Sequence, residues 1–239
     1  ELTQGFRINN GVQTNGSLLN KEFIKFFEEW DFSVGVSLDG PNWLQDTQRP
    51  YNNGRGSFTD VYEKTKALME SKSQKSGKSI CSGILTVLTK NTLNNLNEVY
   101  DFFLLNKFRP RINPIFYEGR GEVVRKEIGI TPKEYGEGMI YLFDKWFYSE
   151  EDLIVIEPFF EIIGNLIVGR PQSCIFTEAC YREFLEIEPN GDVYPCGIGE
   201  NLRDFLLGNI NKDDMSKILA SPVFELLETG NAEVRKKCN

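Results

Sequence analysis

Over the first 150 positions, dense apolar runs alternate with longer stretches in which apolar residues recur at helical spacing. Phe6 to Gln13 reads as a strand ending in the turn Thr14-Asn15-Gly16, and Leu19 to Trp30 reads as an amphipathic helix. Phe32 to Leu38 is a buried type of strand, closed by Asp39-Gly40-Pro41. Phe58 to Ser71 predicts a second helix and Ile80 to Thr89 a β-rich strand. Leu96 to Leu105 is helical, Arg111 to Tyr117 a further strand, and Pro132 to Tyr148 a helix with its proline in the first turn. Strand–helix units of roughly 30 residues imply right-handed βαβ crossovers and a parallel sheet. The alternation is compatible with a barrel or with an open doubly wound sheet.

Beyond about residue 150 the pattern changes. A helical segment is expected from Leu153 to Gly169, and Phe184–Glu188 and Asp192–Tyr194 flank the hairpin signal Pro189-Asn190-Gly191. Asp213 to Leu227 reads as one helix. The expected division is therefore an α/β domain over 1–150 and a smaller region over 151–239.

Composition narrows the chemistry. With 40% hydrophobic and 26% charged residues the chain is an ordinary globular one, and its net charge of −8 gives it no reason to wrap a polyphosphate backbone. Histidine is absent, which excludes a Ser-His-Asp triad, a Cys-His dyad and an H-E-x-x-H zinc site. Chemistry must come from carboxylates, Tyr, Lys, thiolates or a cofactor. No signal or transit segment is visible, and the apolar stretch from Leu153 to Val168 is interrupted by Glu157, Pro158 and Glu161, so no membrane span is expected. Five cysteines, four of them at 174 and beyond, suit reduced cytoplasmic thiols better than a disulfide frame.

Two constellations stand out. Cys174, Cys180 and Cys196 bracket the hairpin, and thiolates gathered at a tight turn suit zinc or an iron–sulfur cluster; three unrelated buried thiols are the plainer alternative. Cys81 reads as core. The second constellation is the pair of strand ends, Gln13-Thr14-Asn15-Gly16 and Ser37-Leu38-Asp39-Gly40-Pro41. In parallel α/β folds ligands bind at the carboxyl ends of strands, although Asn-Gly and Asp-Gly-Pro are also simply good turns. Gly54-Arg55-Gly56 and Gly119-Arg120-Gly121 read as loop punctuation. Glu186, Glu188 and Asp192 read as solvated hairpin carboxylates.

Taken together, QTNGSLL (13–19), VGVSLDGP (34–41), GRGSF (54–58), ILTVLTKNT (84–92), Cys174, Cys180, IEPNGDVYPC (187–196) and LGNI (207–210) resemble the radical S-adenosylmethionine enzymes that carry a C-terminal SPASM domain. Well-known members are the anaerobic sulfatase-maturating enzymes and peptide maturases. The resemblance, running from Gln13 to Cys238, implies a partial (β/α)6 TIM-like barrel followed by a small α+β, cysteine-containing SPASM-type extension. It further implies an enzyme that cleaves S-adenosylmethionine reductively against a 4Fe-4S cluster, giving a 5′-deoxyadenosyl radical that abstracts a substrate hydrogen. Thr14, Asn15, Ser37 and Asp39 match cofactor-binding positions. Cys174, Cys180 and Cys196 match ligands of an auxiliary cluster, with Cys238 where the next cysteine group begins. Tyr117, Glu118 and Arg120 are possible substrate contacts at the barrel mouth. A peptide or protein substrate and a reductant such as flavodoxin or ferredoxin are implied partners; nucleic acid and membrane are not.

Departures from the family pattern shape the expectation. Neither C-x3-C-x2-C nor Gly-Gly-Glu-Pro occurs in the 239 residues, so the expected reading is a fragment cut at both ends, without its first strand–helix units and inactive alone. A natural chain that lost its catalytic cluster is the other reading. Gly197 stands where sulfatase-maturating enzymes carry Asp, and Gln45-Asp46 precedes Arg49 where the family commonly has His-Asp before Arg. Maturation of a ribosomal peptide is therefore expected over formylglycine formation. The competing classes are a non-catalytic peptide-binding module on the same scaffold and a zinc-stabilised α/β binding domain.

Overall fold

The computed structural model describes residues 8–117, 120–149, 154–171, 181, 183–196 and 203–229. The chain divides into two compact units, Glu1–Ile162 and Ile163–Asn239. Among the described residues no helix is long and apolar enough to cross a membrane.

In the first unit, strands β1 (Asn10–Thr14), β2 (Phe32–Ser37), β3 (Cys81–Leu88) and β4 (Pro110–Pro114) form one sheet in the order β1-β2-β3-β4. All three pairings are parallel, with Thr14 beside Val36, Ser37 beside Leu85 and Val87 beside Asn113. The crossovers contain α1 (Lys21–Trp30), α3 (Phe58–Glu70) and α5 (Leu96–Leu105), as the alternating periods predict. A short helix, α2 (Asn42–Gln48), follows β2, and α4 (Lys90–Leu93) follows β3. After β4 come α6 (Arg120–Val123), α7 (Arg125–Ile128) and α8 (Pro132–Phe147).

Local chemistry sets the helix ends. Asn20 Oδ1 accepts the Phe23 N–H at 2.9 Å to start α1, and Asp31 at φ 56° ends it. Thr131 and Glu134 form a capping box around Pro132 at the head of α8, and Thr89 and Thr92 form another at the head of α4. Each major helix buries one stripe: Val61, Thr65 and Leu68 on α3; Val99, Tyr100 and Phe103 on α5; Met139, Leu142 and Trp146 on α8. They meet the sheet face built from Val34, Val36, Leu38, Ile84, Leu88 and Ile112. Thr86 is the polar member of that face, and its hydroxyl donates to the Leu38 carbonyl at 2.7 Å. On the other sheet face Gly35 lies beside Gly83, and a Cβ on Gly35 would sit 2.1 Å from Gln13 Oε1.

Three elements depart from the apolar pattern. Helix α2 has no apolar period of its own, since only Leu44 and Gln45 are buried in it. The helix expected from Leu153 begins only at Phe159 (α9, Phe159–Val168). Before it, the Ile112 N–H donates to the Glu157 carbonyl and the Glu157 N–H to the Pro110 carbonyl, each at 2.9 Å. Ile154, Val155 and Ile156 are β-branched and prefer the extended backbone that flanking a sheet allows, and Pro158 favours extension in the residue before it. The expected helix from Asp213 to Leu227 is interrupted: α10 (Met215–Leu219) ends before Ser221-Pro222, and helix resumes over 223–229.

In the second unit, β5 (Glu186–Ile187), β6 (Asp192–Tyr194) and β7 (Gly208–Asn209) form a small antiparallel sheet in that order. Gly191 at φ 89° makes the hairpin turn. Its core is Tyr181, Val193, Leu207, Ile218 and Phe224.

Candidate functional site

The carboxyl ends of all four parallel strands converge on a cavity of about 460 Å³, within the usual range of small-molecule sites. At the end of β1, Thr14 Oγ1 accepts the Gly16 N–H at 3.2 Å, while Asn15 Oδ1 accepts the Ser17 N–H at 3.0 Å and the Ser17 hydroxyl at 2.7 Å. The turn requires Gly16, whose φ is 75° and whose missing Cβ leaves room for Val61 and Val36. Lys64 of α3 ties it down by donating to the Ser17 carbonyl at 2.6 Å. Asn15 and Ser17 line the cavity.

The end of β2 is built around Asp39, which is 1% exposed. Its carboxylate accepts from Arg49 Nε at 2.7 Å, Arg49 Nη2 at 3.2 Å and the Val87 N–H at 3.0 Å. One side chain thus joins β2, β3 and the end of α2. The Asp39 N–H donates to Gln45 Oε1 at 2.9 Å, and Gln45 Nε2 donates to the Ser57 hydroxyl at 3.1 Å. Asp46 Oδ1 accepts the Phe58 N–H at 2.7 Å and so starts α3. A Cβ at Gly56 would meet that carboxylate at 2.3 Å. Helix α2, formed without an apolar stripe, is held by these side-chain bonds, and it delivers Gln45, Gln48 and Arg49 to the cavity wall.

Among the described residues Arg49 is the only cationic one of the lining. Two of its N–H groups are committed to Asp39, which leaves the rest of the guanidinium fork for an anionic group. Gln48 Oε1 accepts from the Thr89 hydroxyl, whereas Gln48 Nε2 is buried with no hydrogen-bond partner among the described residues. Tyr51 and Asn52 add polar groups, and Val61, Val87, Ile115 and Ile128 add apolar wall. Burial, and then the neighbouring Asp60, push the Tyr51 phenol up; the Arg55 guanidinium and then the Tyr51 hydroxyl hold the Asp60 carboxyl down.

This lining matches the chemistry of S-adenosylmethionine: a guanidinium for its carboxylate, hydroxyl and amide groups for ribose or amine, and an apolar wall for adenine. The buried unpaired amide of Gln48 is the observation that calls for a polar ligand there. Of the four expected cofactor positions, Asn15 and Asp39 line the cavity. Thr14 shapes the turn beside it, and Ser37, 8% exposed, accepts from Gln13 Nε2 at 3.4 Å. Gln48, Tyr51 and Asn52 had no motif to mark them. Arg49 was visible only through its distance from Gln45-Asp46.

Tyr117 is engaged within its own loop: its hydroxyl donates to the Ile130 carbonyl at 2.6 Å and accepts the Ile130 N–H at 2.8 Å, with Arg125 stacked 4.3 Å over the ring. Glu118 lies outside the described residues, and Arg120 opens α6. In the second unit, Cys196 is a free, half-buried thiol just past β6. Cys174, Cys180 and Cys238 lie outside the described residues. Among the described residues no group of three or more His, Cys, Asp or Glu is placed to hold a metal ion. Among the described residues Cys81 is the other free thiol, and burial pushes its pKa up.

Comparison with known proteins gives these features a family. Residues 179–239, which contain Cys180, Cys196 and Cys238, match the SPASM model, an iron-sulfur cluster-binding domain. A cysteine-type anaerobic sulfatase-maturating enzyme of Clostridium novyi is 31% identical over 247 aligned positions, covering 99% of this chain and 63% of that enzyme. A serine-type counterpart from Bacteroides thetaiotaomicron is 25% identical, over 92% of this chain and 55% of its own. The solved structure of anSMEcpe with bound AdoMet superposes with a TM-score of 0.79 at 27% identity, over 94% of this chain and 60% of that one. A further structure of anSMEcpe, with AdoMet and the Kp18Cys peptide, matches equally well.

Over 179–239 the chain therefore matches an iron–sulfur cluster-binding SPASM domain, and over nearly its whole length it is similar to enzymes solved with bound AdoMet. More narrowly, it is a homologue of the anaerobic sulfatase-maturating enzymes, and it spans less than two thirds of their length.

Proposed function

We propose that the protein is part of a radical S-adenosylmethionine enzyme that modifies a side chain of a peptide or protein substrate. The observation that carries this reading is the cavity at the four strand ends, where a single guanidinium is anchored on a buried carboxylate. S-adenosylmethionine bound at a reduced iron–sulfur cluster supplies hydrogen-atom abstraction at an unactivated carbon.

This chain's own residues hold and orient. Arg49 takes the carboxylate of the cofactor, and Asp39 keeps the guanidinium in one orientation while tying β2 to β3. Asn15 and Ser17 present amide and hydroxyl groups from the β1 turn, and Val61, Val87, Ile115 and Ile128 exclude water beside them. Thr14 and Ser37 act one layer back, by shaping the strand ends. Cys174, Cys180, Cys196 and Cys238 are assigned as thiolate ligands of auxiliary clusters, a reading supported by the cluster-binding domain matched over 179–239. Ligands of the catalytic cluster are assigned to a C-x3-C-x2-C motif that these 239 residues do not contain, so this stretch alone is expected to be inactive. A flavodoxin or ferredoxin would supply the electron.

A peptide substrate is supported by the relative that binds the Kp18Cys peptide. The finer preference for ribosomal-peptide maturation over formylglycine formation rests on Gly197, where no carboxylate can accept a proton. Gln45 adds little to it: both ends of its amide are spent on Asp39 and Ser57, which makes it a strut rather than a reacting group. The named relatives are sulfatase-maturating enzymes, so both substrate classes belong in the assay.

The test is anaerobic. The complete gene product, reduced with dithionite and supplied with S-adenosylmethionine, should release 5′-deoxyadenosine, read by chromatography. Arg49→Met should raise the S-adenosylmethionine concentration needed while leaving the iron content unchanged. Absence of 5′-deoxyadenosine from iron-replete protein would sink the enzyme reading.

A further inference from the structure

Gln48 is the last residue of α2 and lies on the cavity wall next to Arg49. Its two amide atoms have different fates. Thr89 accepts the Thr92 N–H at 3.3 Å as the cap of α4, so its hydroxyl proton is free to be given away. That proton goes to Gln48 Oε1, a full acceptor. The assignment turns the amide so that Nε2 carries two N–H donors with no acceptor among the described residues, although the atom is sealed from water. An unpaired buried donor is disfavoured enough that native proteins keep few of them. Folding uses only the oxygen of this amide, as the acceptor for Thr89, and gives no use for the two N–H donors.

The position of the amide suggests its use. Its neighbour in sequence, Arg49, is the only cation among the described lining residues, and it already shares its fork with Asp39. A carboxylate has about four acceptor sites, more than the remaining Arg49 N–H groups occupy. The terminal torsion of a glutamine is soft, so a small turn brings Nε2 to the cavity while Oε1 keeps the Thr89 hydroxyl.

We infer that Gln48 Nε2 is a ligand-binding donor which, with Arg49, takes the carboxylate at the amino-acid end of S-adenosylmethionine. The inference rests on the cofactor reading proposed above. Gln48 then discriminates the intact cofactor from nucleosides that lack this end, and Thr89 is the positioning residue that aims the amide.

Equilibrium binding to anaerobic, iron-replete protein tests it, with S-adenosylmethionine and 5′-methylthioadenosine as the two probes. The second probe keeps the adenosine and lacks the amino acid. Gln48→Met should weaken S-adenosylmethionine roughly 10- to 100-fold, the range for a hydrogen bond to a charged group, and leave 5′-methylthioadenosine within about threefold. Gln48→Glu keeps an acceptor for Thr89, so it is read where Gln48→Met does not fold. It should weaken S-adenosylmethionine at least as much, because it sets a second carboxylate against the ligand's. Unchanged S-adenosylmethionine binding in either variant overturns the inference. So does an equal loss for both probes, which would move Gln48 to the adenosine end, or tighter binding by Gln48→Glu, which would mean an acceptor for the cofactor's amine. If the unsubstituted protein binds no S-adenosylmethionine, the cofactor reading falls and takes this inference with it; if it binds and the variants bind equally, Gln48 alone is excluded.

Discussion

The two units hold themselves together in different ways. The first buries a layer of large aliphatic and aromatic side chains, with Val34, Val36, Leu38, Leu44, Leu68 and Leu88 fully inaccessible. The second has strands of only two or three residues and a core of five described buried side chains. It relies instead on a net of asparagines around its hairpin. Asn209 Nδ2 donates to Asp192 Oδ1 at 2.8 Å and to the Asn190 carbonyl at 3.2 Å, while its Oδ1 accepts the Asn211 N–H at 2.9 Å. Its backbone N–H donates to Asp213 Oδ2 at 3.0 Å. Small cores rarely suffice alone, and the usual supplement is a metal or a disulfide. The comparison teaches that burial secures the unit carrying the cavity, whereas polar satisfaction and, on the present proposal, iron–sulfur ligation secure the unit carrying the cysteines.

Five outcomes would sharpen or break that contrast. The largest concerns the first unit's core: Phe103→Ala should cost about 3–5 kcal/mol in urea unfolding, independent of iron content. A loss that depended on iron would erase the distinction. Next, Asp39→Ala should cost about 2–3 kcal/mol, because it strands the Arg49 guanidinium and the Val87 N–H together. Arg49 is 29% exposed at its side chain, which keeps the figure below that of a fully buried pair. This variant should also lose S-adenosylmethionine affinity, measurable by equilibrium dialysis.

In the second unit, chelation of iron should raise hydrogen exchange over 186–196 and 207–210 and leave β2 and β3 protected. Equal loss of protection in both units would show that metal supports the whole chain. The smallest expected effects come from the asparagine net and its carboxylate. Asn209→Ala should cost about 1–2 kcal/mol, read as a shift in the urea midpoint. The hydrogen bond from Lys217, followed by that from the Asn209 N–H, holds the Asp213 carboxyl below the usual carboxylate range. A lowered folded-state pKa favours the folded form above the unfolded value, so this contribution is present at neutral pH and is lost as pH falls through the folded value. Asp213→Asn should flatten the acid limb of hairpin protection by lowering the neutral plateau toward the acid value.

Legibility followed the same division. The alternating periods were enough for β2, β3 and helices α1, α3, α5 and α8, because each buries a continuous stripe or run against one sheet. They failed where side-chain hydrogen bonds rather than burial hold the backbone. Helix α2 is secured by Gln45 and Asp46, with no apolar stripe to announce it. Ile154–Glu157 looked helical by composition but lies along β4, since a vacant strand neighbour lets β-branched residues extend. The cavity lining was legible at Asn15 and Asp39, which sit in turns at strand ends. It was not legible at Gln48, whose significance depends on what surrounds its amide nitrogen.

By itself, the amino-acid sequence determined the class of fold, the strand ends at which a ligand would gather, the exclusion of histidine chemistry and the likeness to radical S-adenosylmethionine enzymes. Those follow from periodicity, composition and ordered motifs, all local along the chain. Tertiary structure decided which polar groups are already spent and which remain for a ligand: Gln45 and the Tyr117 hydroxyl are spent, and the Gln48 amide nitrogen and part of the Arg49 fork remain. Hydrogen-bond satisfaction is set by neighbours far apart in the chain, as when Thr89, 41 residues from Gln48, turns its amide, and no reading of residues in order supplies that.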